Sequence, residues 1–145
     1  MMEYKIIILP LIAAVIAQVL KFAISSNRLK FSWHNLIAYS GMPSGHSAMT
    51  VGLTTIIGLE AGLTSPIFAL SVFFTLLTLR DAMGLRRYLG KHGKIINDLV
   101  EDLDEDQMLD RKYPELLEKL GHSSLQVLIG AIIGLVISYV GYLYW

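Results

Sequence analysis

Hydrophobic residues in this chain are gathered into long blocks rather than spread with a short period. The first block runs from about Tyr4 to Ile24 and the second from about Ser47 to Leu63. The third runs from Pro66 to about Leu79, extensible to Leu85, and the fourth from Leu125 to Trp145. The first and fourth hold about 20 residues, the length that carries a helix across a hydrocarbon core. The second and third are shorter and are interrupted by Glu60, Arg80 and Asp81. The fourth is apolar on every face, which argues against a water-soluble bundle of apolar helices. The pattern predicts an all-α integral membrane helical bundle of about four transmembrane helices, as one domain over residues 1–145. Between the third and fourth blocks, Ile95, Ile96, Leu99, Val100 and Leu103 are spaced for one helix face, which predicts an amphipathic surface helix in the loop. Tyr113-Pro114-Glu115 then predicts a short helix with proline in its first turn, ended by Gly121.

Composition sharpens this reading. Apolar residues make up 54% and charged residues 17%, the latter low for a soluble globule. The absence of cysteine excludes disulfides and thiolate metal sites. A net charge of zero gives no case for nucleic acid. Lys5 stands ahead of the first block, but no small-x-small cleavage site follows, so the block reads as a retained span and not a signal peptide. Four spans put both termini on one side. The other side collects Lys30, Arg86, Arg87, Lys91, Lys94, Arg111, Lys112 and Lys119, besides Lys21 and Arg28, against Lys5 alone opposite. The positive-inside rule makes the basic side cytoplasmic, in a multi-pass protein of the cell membrane.

Several features have modest readings. Asp98 to Asp110 holds seven carboxylates in thirteen residues; it lacks the glycine and spacing of a calcium loop and reads as a solvated face. Glu60 lies roughly 20 Å along its helix from His46 at 1.5 Å per residue, which predicts a snorkelling residue near the opposite interface. Tyr142, Tyr144 and Trp145 fit an interfacial aromatic belt there. Trp33 and His34 read as linker packing and headgroup contacts, and His92 as a solvated loop residue. Gly130-x-x-x-Gly134 gives the fourth helix a small face, for packing inside one subunit or for a homodimer contact.

The chemistry gathers at one membrane face. Lys21 and Arg28 follow the end of the first span, Pro43 to His46 open the second, Arg80 and Asp81 lie near the end of the third, and His122 opens the fourth. Cations and two histidines at one boundary suit a phosphate group. Ser44 can cap the second helix. The free N–H groups around Gly45 and His46 can point at an anion, and Gly45 lets backbone approach it. Either histidine can serve as nucleophile or proton donor near neutral pH.

These residues resemble the type 2 phosphatidic acid phosphatases, which share their site with the vanadium haloperoxidases. Lys21, six residues, then Arg28 is similar to the first motif, and Pro43-Ser44-Gly45-His46 matches the second. His122, followed by Gly130 and Gly134, is similar to the third. The short four-span form and "RDAMGLRR" resemble a divergent bacterial and plastid branch. The resemblance implies that His122 is the nucleophile, forming a phosphohistidine, and that His46 protonates the leaving oxygen. It implies that Lys21, Arg28, Ser44 and Gly45 hold phosphoryl oxygens, with no metal and no cofactor.

The chain departs from the pattern in three places. Leu29 follows Arg28 where the motif has proline. Glu115 and Leu116 stand where the third motif has Ser-Arg, and Gln126 stands where it has Asp. Arg80, Arg86 or Arg87 could supply the arginine, and Arg80, Arg87, Lys91 and Lys94 share one helical face if a helix continues through Gly84 and Gly90. Asp81 could supply the carboxylate, and Gln126 could orient an imidazole. The leading expectation is a phosphatase acting on a lipid phosphate: phosphatidylglycerophosphate, phosphatidate or polyprenyl diphosphate. The rival is a non-catalytic membrane protein that keeps the fold and binds anionic headgroups or a partner. A transporter lacks support, since no pair of broken helices lies at mid-membrane.

Overall fold

The computed structural model describes residues 2–24, 41–103, 115–118 and 120–145. Arg28, Lys30, Trp33, His34, Tyr113, Pro114, Lys119 and the carboxylates beyond Asp102 up to Asp110 lie outside the described residues. The fold is an all-α membrane bundle. The described residues form five helices: α1 Met2–Ala23, α2 Gly45–Ala61, α3 Pro66–Met83, α4 Leu85–Leu103 and α5 Ser124–Tyr144. Three helical stretches are long and apolar enough to cross a membrane: Tyr4–Ala23, Pro66–Asp102 and Ser124–Tyr144. The helix α2 is 17 residues long and falls short of that length. It is nevertheless the centre of the bundle, packed against α1, α3 and α5.

Small residues occupy the interior. On α1 the buried positions are Leu9, Pro10, Ala13, Ala17 and Lys21; Leu9, Ala13, Ala17 and Lys21 are four residues apart and therefore one stripe. On α5 they are Val127, Gly130, Gly134 and Ser138. Large apolar side chains such as Val15, Val19, Phe73, Leu77 and Leu135 are exposed. This is the distribution of a helical membrane protein, in which close backbone approach rather than water drives association. A Cβ on Gly130 would collide with the Ser44 carbonyl, and one on Gly134 with the Ala48 carbonyl. The small face of α5 is thus occupied by α2 within the subunit. Pro10 lies inside α1, and its Cα is 3.5 Å from where a Gly52 side chain would begin. Burial of this site in protein lets the membrane helix tolerate the lost backbone bond.

Hydroxyl groups join α2 to α3. Thr75 donates to the Thr50 carbonyl at 3.0 Å. The Thr54 and Thr75 hydroxyls lie 2.8 Å apart, and Thr54 also reaches the Ser71 carbonyl at 3.1 Å. Such bonds average about 0.6 kcal/mol in membrane proteins, so this ladder sets register more than it supplies stability.

The chain turns away at Gly84, where φ is −104° and ψ −88°. The Ala82 carbonyl, which a continuous helix would bond to residue 86, instead accepts the His122 N–H at 2.9 Å. Gly121 fills the opening: its φ is +80°, and a Cβ there would lie 2.8 Å from the Arg87 nitrogen. An inserted segment of this kind is a recognised cause of a helix break. The break puts Arg80 on α3, whereas Arg87, Lys91 and Lys94 lie on α4. The proposed four-residue basic face is therefore divided after Arg80. The continuation through Gly90 holds, and the predicted amphipathic helix at Ile95 to Leu103 is the second half of α4.

Two expectations need correction. Residues 115–118 are not helical. Asn97 accepts from the Leu116 N–H and donates to the Leu116 carbonyl, both at 2.9 Å, so in this strap the backbone groups of Leu116 find their partner on α4. A Cβ on Gly90 would strike the Glu118 carbonyl, and one on Gly93 would lie 3.0 Å from that of Leu117. Glu60 does not snorkel freely. It lies 3.7 Å from Lys5 with both side chains mostly buried, and Lys5 sits 5.6 Å from the centre of the Tyr142 ring. That group ties α1, α2 and α5 at the end of the bundle remote from His46.

Candidate functional site

The α1 stripe ends at Lys21, 2% exposed in the last helical turn. A cation is favoured at that position by the helix dipole. Opposite it, Gly41 turns the chain at φ +102° into the cis Met42–Pro43 peptide. Ser44 follows as the N-cap of α2, its hydroxyl accepting from the Ser47 N–H at 3.3 Å. The Ser44 carbonyl accepts from the Ala48 N–H, and the Ser44 N–H donates to the Gln126 carbonyl at 3.0 Å. This last bond fastens the Pro-Ser-Gly-His segment to the first turn of α5. With Ser47 and Ala48 satisfied, the N–H groups of Gly45 and His46 remain at the mouth of α2, where helix geometry favours an anion.

His122 precedes α5 rather than opening it. Ser123 and Gln126 form a reciprocal capping box, with Gln126 N to Ser123 Oγ at 3.3 Å and Ser123 N to Gln126 Oε1 at 2.9 Å. The cap and the Ala82 bond fix the backbone on both sides of the imidazole. The His46 and His122 rings stand 6.4 Å apart, centre to centre, inclined at 55°. His122 is 2% exposed, and its Nδ1 is buried without a hydrogen-bond partner among the described residues. Burial, then the charge of Lys21, push its pKa down from 6.5 to about 4; Gln126 and the Gly41 carbonyl pull less strongly the other way, and His46 adds to the lowering. His122 is accordingly neutral at pH 7, with a nitrogen lone pair available.

The charges acting on His46 are those of Arg86, Lys21 and Asp81. Arg86 donates from Nε to Asp81 Oδ2 at 2.7 Å. Of the three arginines weighed on sequence, Arg86 is thus the one tied to this site. Arg80 is exposed on α3 and Arg87 exposed on α4, where the Arg87 side chain borders Gly121. Asp81 is engaged by Arg86, and the Gln126 side-chain oxygen by the helix cap. Arg28 lies outside the described residues. The structure therefore brings together Lys21, Ser44, Gly45, His46, Asp81, His122 and Gln126, with Arg86 added. Sequence reasoning passed over Gln18, whose Oε1 lies 3.4 Å from where a Gly45 side chain would begin. Its signal was available: a polar residue inside an apolar span, three positions before Lys21 and on the same side of the helix.

Helices of this packing, with two histidines and a buried lysine at one end, define an all-α membrane protein with a polar site at a helix mouth. The chain belongs to the divergent PAP2 family, whose model matches residues 2–137. It is similar to the uncharacterized membrane protein YuiD of Bacillus subtilis (strain 168), at 35% identity over 143 residues, covering 90% of this chain and 89% of that protein. No solved structure matches it.

Proposed function

We propose that this protein is a multi-pass membrane phosphatase that removes phosphate from a lipid headgroup at the cytoplasmic face. The observation that carries this reading is the pairing of His46 and His122, 6.4 Å apart, beside buried Lys21 at the mouth of α2. In the reaction a nitrogen of neutral His122 attacks phosphorus as the bond to the lipid oxygen breaks. His46 gives its proton to that oxygen. Water then attacks the phosphohistidine, His46 takes a proton back, and inorganic phosphate leaves. Lys21 and the N–H groups of Gly45 and His46 hold the phosphoryl oxygens, with Arg28 in the role that the family motif gives it. Family membership and the exposed apolar shell together favour a lipid phosphate, with phosphatidylglycerophosphate, phosphatidate and polyprenyl diphosphate as the candidates.

A second reading has its own support. Asp81 is held by Arg86, and among the described residues His122 Nδ1 has no carboxylate to orient it. Such a site could bind anionic headgroups without turning them over. Phosphate release by the purified chain, in chelator and across the three lipid classes, separates the two. Turnover with an acid-labile phosphoenzyme that His122→Ala abolishes supports the phosphatase. Saturable headgroup binding with no release from any substrate supports the binder.

A further inference from the structure

The surface of α4 divides into three sides at about 3.6 residues per turn. Gly90, Gly93 and Asn97 make the first, covered by the strap at residues 115–118. Arg87, Lys91, Lys94 and Asp98 make the second, all exposed. Leu85, Tyr88, Leu89, Ile95, Ile96 and Leu99 make the third, with His92 as the one polar residue among them, and these too are exposed, Ile95 by 63% and Leu99 by 56%. The strap leaves this apolar side open, and α4 packs chiefly on α3.

We propose that the apolar side of α4 lies in the headgroup–acyl boundary of the same membrane that holds the bundle, as an in-plane interfacial helix. Three observations identify lipid as the occupant. The side follows, after a break of one residue at Gly84, a helix whose own apolar residues Phe73, Leu76 and Leu77 are open. The break frees the axis to turn, because Ala82 has given its carbonyl to His122. The half of α4 nearest the bundle carries Arg87, Lys91 and Lys94, all exposed, charges that complement anionic headgroups. A helix with one apolar side, one strongly charged side and low overall hydrophobicity lies along a bilayer surface rather than across it. The proposal rests on membrane placement and stands apart from the phosphatase reading. It has a mechanical consequence, since the strap and the Gly84 break link α4 to His122.

The lack of cysteine allows a direct test on the full chain. Single cysteines at Leu89, Ile96 and Leu99, and at Lys94 and Asp98, would carry a nitroxide in vesicles of equal phosphatidylglycerol and phosphatidylethanolamine. Collision with oxygen and with a water-soluble nickel chelate would be read at each position. Nickel access should be lost at Leu89, Ile96 and Leu99, with oxygen access kept, and retained at Lys94 and Asp98, so that access oscillates with a period of about 3.6 residues. Equal nickel access at all positions would place α4 in water and overturn the proposal. Shielding of the apolar positions from both reagents would also overturn it, showing a protein cover such as a second copy. An independent measurement uses Ile96→Trp in a chain whose native tryptophans, Trp33 and Trp145, are replaced by Phe: brominated acyl chains should quench its fluorescence, and the absence of quenching in a normally helical protein would equally overturn the inference.

Discussion

The pKa of about 4 at His122 makes this histidine a measurable load on stability in acid. In the unfolded chain an imidazole titrates near 6.5. Below that pH the unfolded state takes up a proton that the folded state refuses until about pH 4. The unfolded state therefore binds more protons, and stability falls as pH falls through that window. A gap of about 2.5 units at 1.36 kcal/mol each sets the full loss at about 3 kcal/mol. That is a large fraction of the ~5–15 kcal/mol by which folded domains are stable. His122→Gln removes the titration while keeping a polar side chain of similar reach. Unfolding in mixed micelles from pH 7.5 to pH 4 should show the wild type losing about 3 kcal/mol more than the variant. The imidazole carbon-bound protons, assigned by their absence in His122→Gln, should shift with a midpoint near 4. A His122 midpoint near 6.5, or parallel stability curves for the two proteins, would refute the assignment of a buried neutral imidazole.

Three further outcomes are expected. Gly134→Val drives a side chain against the Ala48 carbonyl and should cost about 1–3 kcal/mol by overpacking, whereas Val136→Ala on the exposed side of α5 should leave the unfolding midpoint nearly unchanged. Asn97→Ala should release the strap, read as faster hydrogen exchange at the Leu116 amide, while Asn97→Asp, which keeps the acceptor for that N–H, should preserve part of the protection. If turnover is found, a substrate with an acidic phenol leaving group should partly rescue His46→Ala and not His122→Ala, because general acid catalysis is worth about 10²–10⁴-fold and such a leaving group needs it least. Rescue of His122→Ala instead would exchange the two roles.

Much of this was legible in the sequence because the controlling interactions are local. Block length announced the long apolar helices, and Ser44 announced a cap that depends on a residue three positions away. What sequence missed depends on partners distant along the chain. Pro114 and Gly121 bracket a segment that looks like a short helix, but the backbone groups of Leu116 are taken by Asn97. Arg80 and Arg87 fit one helical face until Gly121 and His122 enter the ladder at Ala82, and that entry leaves Arg86 as the arginine tied to the site. Glu60 could be placed by rise along α2 at the end remote from His46. Rise gives depth and not direction, so its partner Lys5 was out of view.

The position of Lys21 ties packing and chemistry together. Leu9, Ala13 and Ala17 precede it on one stripe, and the alanines let α1 approach α2 closely. The same approach that packs the helices therefore buries the ammonium. Taking a charge out of water costs several kcal/mol after relaxation, and a lysine one turn earlier would bear that cost deeper in the apolar core. At the last turn of α1 the C-terminal dipole offsets part of it, while the facing N-terminus of α2 presents N–H groups of the opposite preference. The charges acting on His46 comprise two cations, Arg86 and Lys21, and one carboxylate, Asp81, which Arg86 already holds. On the proposed phosphatase reading, an arriving phosphate would meet donors and positive charge already in place, the kind of preorganisation that stabilises charge developing in a transition state.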